Sequence, residues 1–253
     1  MPLVDLVIEE NIATITLNRD EARNAISNAM ATELLACLTR AEEGATRVVV
    51  LRANPGASVW CAGHDLQNLD PQALEKDNLT LEICRRIQAS RLPVIAAVEG
   101  KVFGGGMLLL LCCDVAIATE TASVAFTANK LGIPLEAYWY AYMVQVVGLH
   151  MAKQLLLTAA PISAAEALRC GLYNRLVPTD ELEPVVAEVA GQIIACSAEG
   201  VAHSKRTLNA IASQLALLEA DRESIREQGM QLLTSPEVQQ RIDALWKSIQ
   251  PQT

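Results

Sequence analysis

Two short glycine-bearing segments carry the residue types best suited to chemistry. Gly104-Gly105-Gly106 stands between two apolar runs. Three consecutive glycines weaken both helix and strand, so their presence needs a reason. Either backbone packs closely on backbone, or a ligand approaches free N–H groups at a helix N-terminus, where the dipole favours negative charge. The spacing is not G-x-G-x-x-G, because position 109 is Leu, and it is not a Walker loop. The second segment is Cys61-Ala62-Gly63-His64-Asp65-Leu66. It reads either as a tight turn with Asp65 as a helix cap or as another set of exposed N–H groups. Two such turns in adjacent units would aim two N–H groups at one oxygen, which is the architecture of an oxyanion hole.

The elements that must position these turns follow from periodicity. Leu3–Ile8 and Ile12–Leu17 read as a hairpin around Glu9-Glu10-Asn11. Ser27 caps an expected helix running to Glu43, with Gly44 as its stop. Arg47–Leu51, Val94–Val98 and Val115–Ala118 are short runs, apolar apart from Arg47, each expected as a buried strand. Asn78 opens a helix that ends before Leu92-Pro93, and another begins near Gly105. Alternating strands and helices with almost wholly apolar strands predict an α/β fold with mostly parallel pairing. The recurrence of strand, loop and helix every ~45–50 residues predicts a spiral of repeated units. Beyond residue 136 the chain reads helical, with a capping box at Ser163–Glu166, a stop at Gly171, and helix starts at Thr179 or Asp180 and at Ser235-Pro236-Glu237. The expected organisation is a core over 1–190 and a helical C-terminal region over 191–253.

Five segments together, LNRDEARNAIS (17–27), VWCAGHDL (59–66), VIAAVEGKVFGGG (94–106), CDVAIATETASVAF (113–126) and TAAPISAAEALRCGLYNRLV (158–177), resemble the enoyl-CoA hydratase/isomerase (crotonase) superfamily. The resemblance runs in order along nearly the whole chain. It implies a spiral of ββα units with a C-terminal helical trimerisation region, a homotrimer or dimer of trimers, and an acyl-CoA thioester as substrate. Coenzyme A enters only as part of that substrate, and no separate cofactor is expected. The oxyanion hole implied is the backbone N–H of His64 and of Gly105, flanked by Gly63 and Gly104. Adenine and pantetheine contacts fall on Arg23, Ala25, Ala62, Asp65 and Leu66. Arg23 and Lys247 would meet the phosphates.

Membership does not fix the reaction. Hydratases of this superfamily carry two Glu where this chain has Leu108 and Ala128. Neither side chain can activate water or take a proton. The S/C-A-G-H-D loop, F-x-x-x-x-LG-x-P and the run after residue 158 are most similar to the decarboxylase branch that acts on methylmalonyl-CoA. That implies a lyase in which the hole stabilises an enolate, with Thr127 and Leu108 lining the acyl pocket. Two departures bear on acyl specificity. That branch tends to carry Tyr where this chain has Leu135, and often an acid where Leu108 stands. Two other readings stay open. Glu136 stands where one set of Δ3-Δ2-enoyl-CoA isomerases carries its single base, and a non-catalytic acyl-CoA binder also fits a chain without the acids. Tyr138 and Tyr140, in a cluster with Trp139 and Tyr142, are candidates to bond a substrate carboxylate or protonate the enolate.

Composition narrows the partners. The 253 residues include 20 Lys and Arg against 29 Asp and Glu, a net charge of −9. That balance argues against nucleic acid or an anionic membrane as a bulk partner. A phosphate-bearing ligand would need local N–H groups or a few placed cations. Seven Cys without a C-x-x-C fit a reduced compartment. The three His form no H-x₃-H pair, so no metal site is expected. Acids near the N-terminus argue against a signal peptide. The longest apolar stretch, Val102 to Cys113, is 12 residues, short of the about 20 that span a bilayer. A cytoplasmic protein is the expectation.

Overall fold

A computed structural model of the chain describes residues 2–66, 78–213 and 219–249. β1 (Val4–Glu9) and β2 (Ile12–Leu17) pair antiparallel. Their turn is two residues rather than three: Glu10 and Asn11 take φ of 47° and 66°, the left-handed conformations of the hairpin turn that matches strand twist. α1 (Asn28–Glu42) begins at Ser27, whose hydroxyl accepts from the Met30 N–H. β3 (Val48–Ala53), β4 (Val59–Cys61) and α2 (Leu79–Ala89) follow. Then come β5 (Val94–Val98), β6 (Lys101–Phe103) and α3 (Gly105–Cys112). β7 (Val115–Thr119), β8 (Ser123–Ala125) and the short α4 (Ala128–Leu131) make a third pass. The unit repeated is thus strand, short strand, helix.

The long strands form one sheet in the order β1-β2-β3-β5-β7-β10, where β10 is Arg175–Val177. Every pairing after β1–β2 is parallel. The short strands form a second sheet, β4-β6-β8-β9, with β9 at Ile162–Ser163. Sequence patterning missed this second sheet because three-residue strands are too short to show alternation. The apolar character of β3, β5 and β7 has a direct cause: both faces are covered. Val48, Val50, Ile95, Ala97 and Ile117 pack on one side against Leu182, Val186 and Val189 of α7 (Leu182–Ala195). Val49, Leu51, Val94 and Ala96 face the opposite core, which α1, α2 and α3 fill. At about 25 cal/mol per Å² of apolar surface removed from water, this two-sided burial is the main stabilising term.

α5 (Ala137–Thr158) breaks at Gly148, with φ 75° and ψ 157°. α6 (Ala164–Arg169) opens with the full capping box: the Ser163 hydroxyl accepts from the Glu166 N–H, and the Glu166 carboxylate accepts from the Ser163 N–H. α7 straddles residue 190 and belongs to the sheet's outer layer. α8 (Ala198–Ser213) is fastened by Lys205, whose Nζ donates to Leu92 O at 2.8 Å and to Asp114 at 2.7 Å. The same Asp114 oxygen accepts from the Val94 N–H, so this buried pair ties a helix to the mouths of two strands. Burial pushes the Asp114 carboxyl up, and Lys205 opposes that. α9 (Glu219–Leu233) and α10 (Pro236–Ile249) turn back over the core. All seven cysteines are free thiols.

Candidate active site

The loop after β4 is shaped by the segment after β2. The side chain of Asn24, fully buried, donates to Val59 O. Arg19 donates to Ala25 O at 2.8 Å and pairs with Asp65 at 2.6 Å. Backbone bonds complete the splice: Ala62 N–H to Arg23 O, Ile26 N–H to Gly63 O, and Asp65 N–H to Ile26 O. Ile26 and His64 form a parallel bridge. Because Gly63 O and the Asp65 N–H both face Ile26, the N–H of His64 lies on the other side of the strand. That side faces α3.

α3 brings the second group. Gly105 is its first residue, and the first N–H groups of a helix have no partner within it. The Gly104 N–H is already given to Ala125 O. Among the described residues no hydrogen bond uses the N–H of His64 or of Gly105. The two loops touch: a side chain on Gly105 would begin 3.3 Å from the His64 nitrogen. One on Gly63 would begin 2.4 Å from the Gly105 nitrogen, and one on Gly106 would begin 2.6 Å from Cys61 O. The close-packing reading of the glycine run is what the structure shows. Gly63 and Gly106 let backbone meet backbone, and that contact sets two N–H groups side by side.

These groups open into a cavity of about 550 Å³. Of the residues singled out in the sequence, Ala62, His64, Leu66, Gly104, Gly105, Leu108, Thr127, Glu136 and Tyr138 line it. Gly63 lies buried behind the wall. Arg23 is exposed, and Ala25 presents its carbonyl to Arg19, neither forming part of the wall. Asp65 lines no part of it, and Arg19 holds its carboxylate. Lys247 is exposed on α10 away from the wall; its neighbour Trp246 reaches inward, donating its indole N–H to Leu66 O at 2.7 Å.

Two expectations need correction. Tyr140 is not on the wall, and its hydroxyl accepts from the Leu135 N–H at 3.3 Å. Tyr138 is on the wall, but its hydroxyl donates to Gln88 at 3.1 Å, and burial pushes its pKa up. Neither hydroxyl is aimed at the hole. Periodicity put both at the start of α5 but could not say which way each turned.

The remaining wall is mostly apolar, with Asn78, Thr80 and Arg226 among its polar members. Leu108 and Ala128, where the resemblance implies the acids of a hydratase, are both part of it, as is Leu135. Glu136 is the one carboxylate among the described wall residues. Its side chain is 52% exposed and lies 3.6 Å from Arg85. His64 is held in the opposite state, since burial lowers its pKa below the ordinary imidazole value, with Asp65 opposing. The ring is neutral at pH 7, and its Nδ1 lies 2.9 Å from Thr80 Oγ1.

Thr80 escaped the sequence reading, as did Ile225, Met230 and Leu233 of α9, which roof the cavity. Thr80 carries no local signal, being one polar residue in the first turn of α2. The roof residues belong to a helix far along the chain, and no motif ties them to the hole.

The His64 and Gly105 N–H groups lie side by side on two successive strand-to-helix turns, the geometry that an oxyanion hole requires. Residues 7–244 match the enoyl-CoA hydratase/isomerase family, and the chain belongs to it. The methylmalonyl-CoA decarboxylase of Escherichia coli (strain K12) is 29% identical, over 98% of this chain and 96% of that one. A crotonyl-CoA hydratase of Syntrophomonas wolfei is 36% identical over 79% of each chain. Among solved structures, a methylmalonyl-CoA decarboxylase in complex with 2-nitronate-propionyl-CoA aligns with a TM-score of 0.94 and 28% identity, covering 99% of this chain and 98% of that one.

Proposed function

We propose that this protein decarboxylates a malonyl-type CoA thioester, with methylmalonyl-CoA to propionyl-CoA as the reference reaction. The observation that carries the reading is a pair of adjacent N–H groups, those of His64 and Gly105, beside a wall that has Leu108 and Ala128 rather than acids and whose one described carboxylate is turned toward solvent. The thioester oxygen accepts from the His64 and Gly105 N–H groups. The bond between C2 and the carboxylate breaks, CO₂ departs, and the electron pair moves through C2 to the thioester oxygen. Each hole donor is worth on the order of 10²–10³ in rate where one has been removed. Leu108 favours neutral CO₂ over the carboxylate by offering it no water and no charge. A proton then returns to C2.

The near full-length likeness to the Escherichia coli decarboxylase supports this reading. An isomerase base at Glu136 is disfavoured, since its carboxylate lies beside Arg85 rather than over the hole. The pantetheine arm would enter past Ala62 and Leu66, with Arg23 near the nucleotide. Exposed Leu157, Leu208 and Ile211 are apolar surface suited to the trimer or dimer of trimers. The test is a panel of methylmalonyl-, malonyl-, 3-hexenoyl- and crotonyl-CoA followed by mass spectrometry. Loss of CO₂ from a malonyl thioester is expected. Turnover of crotonyl- or 3-hexenoyl-CoA with no CO₂ from either malonyl thioester would overturn the reading, and binding without turnover of any member would make the protein an acyl-CoA binder.

A further inference from the structure

The His64 N–H makes no hydrogen bond among the described residues, so its direction is set by the rest of its own peptide group. A trans peptide is planar, with its C=O and N–H pointing opposite ways. The carbonyl that shares a plane with the His64 N–H is that of Gly63, and it accepts from the Ile26 N–H at 2.7 Å. The Ile26 N–H in turn shares its plane with the Ala25 carbonyl, which accepts from Arg19 Nη1 at 2.8 Å. Two peptide groups therefore stand head to tail between a guanidinium and the hole, and each hydrogen bond aims the next.

Arg19 is itself held firmly at the head of this chain. The same Nη1 lies 2.6 Å from Asp65 Oδ2, and the two side chains are only 17% and 12% exposed. The Arg19 N–H donates to Asn24 Oδ1 at 2.8 Å, and its carbonyl accepts from the Asn24 N–H at 2.9 Å. The Asp65 N–H donates to Ile26 O at 3.0 Å, so the residues on both sides of His64 are fixed to Ile26. A cation at the head polarises the amides in line with it, and hydrogen bonds in such a chain strengthen one another by about 10–30% each.

We infer that Arg19 is a positioning residue for the oxyanion hole, orienting and polarising the His64 N–H through the Ala25–Ile26 and Gly63–His64 peptide groups. This deepens the proposed site: it rests on the hole as placed but on no particular reaction. Its effect is selective for charge, because an oxygen that gains negative charge depends on the donor's aim far more than a neutral thioester carbonyl does.

Two ligands that need no turnover test it on the full chain. Acetoacetyl-CoA loses a C2 proton to give an enolate with charge on the thioester oxygen, seen as an ultraviolet band. Butyryl-CoA has an acyl chain of the same length and no such state. Wild type is expected to bind acetoacetyl-CoA as its enolate, and more tightly than butyryl-CoA. Losing a hole donor outright costs on the order of 10²–10³. Arg19→Met keeps the donor but loosens it, so its acetoacetyl-CoA affinity should fall about tenfold, with butyryl-CoA affinity unchanged. Arg19→Lys, which brings back a cation with three donors, should recover part of that loss. If Arg19→Met fails to fold, Asp65→Asn carries the same comparison, since it keeps the size and an acceptor oxygen but not the charge that holds Arg19. An equal loss for both ligands, or none for either, would overturn the inference, and a wild type without preference for acetoacetyl-CoA would overturn the hole with it. Absence of CO₂ release from every malonyl thioester, with the affinities as expected, would overturn the proposed reaction alone.

Discussion

Thr80 Oγ1 lies 2.9 Å from His64 Nδ1, and the Thr80 methyl stands 3.4 Å from where a side chain on Gly105 would begin. One buried side chain thus stands beside both His64 and Gly105. Thr80→Val keeps the shape and removes the hydroxyl, leaving a buried ring nitrogen without a partner at a cost of about 1–3 kcal/mol. Expected is a fall in kcat of about tenfold with KM little changed, since a looser hole loses transition-state binding. Thr80→Ser should restore the rate. Steady-state kinetics of the three forms decide it, and an unchanged kcat in the valine form would remove Thr80 from the site's support.

Gly105→Pro deletes one hole donor at the first position of α3, where a helix tolerates proline. The loss in kcat is expected to be at least about 10²-fold, with the helix content seen by circular dichroism retained. Gly63→Ala acts differently: its methyl would arrive 2.4 Å from the Gly105 nitrogen at a residue whose φ is +85°. That variant should lose both activity and thermal stability. A fully active Gly105→Pro enzyme would refute the hole as placed.

Glu136→Gln separates the reaction classes. Its carboxylate is solvent-facing beside Arg85, so CO₂ release should be untouched. Were Glu136 a proton shuttle, the loss would be on the order of 10²–10⁴-fold. The same variant assayed on 3-hexenoyl-CoA exposes any isomerase activity that depends on it.

Acid should weaken the protein through His64. Burial holds its folded pKa below the ordinary 6.5, so the unfolded chain binds a proton that the native state resists. The contribution is fully present above pH 6.5 and is lost as pH falls from there toward the folded value. Urea midpoints of wild type and His64→Gln, compared from pH 8 to 5, should differ in their pH slope only below about 6.5. A difference in slope above 7 would contradict the neutral, buried ring.

How far the sequence reached depended on how local each cause was. Ser27, Asn78 and Ser163 cap the helices expected of them because a cap needs only the next turn of chain. The strands β3, β5 and β7 were legible because covering both faces leaves nearly every position apolar, Arg52 and Thr119 excepted. The two glycine-bearing turns were legible as segments that could converge, and the structure shows the contact between them; His64 and Gly105 themselves came from the family resemblance. Thr80 was not legible, since its value lies in a partner 16 residues away in another element. Tyr140 misled for the converse reason: its residue type and place suggested chemistry, but its hydroxyl is taken by Leu135.

The bond from Trp246 to Leu66 joins segments 180 positions apart, and the roof residues of α9 come from the same late stretch. A chain cut before residue 225 would keep the segments that carry His64 and Gly105 yet lose the α9 residues that line the cavity and the Trp246 bond to the Leu66 loop.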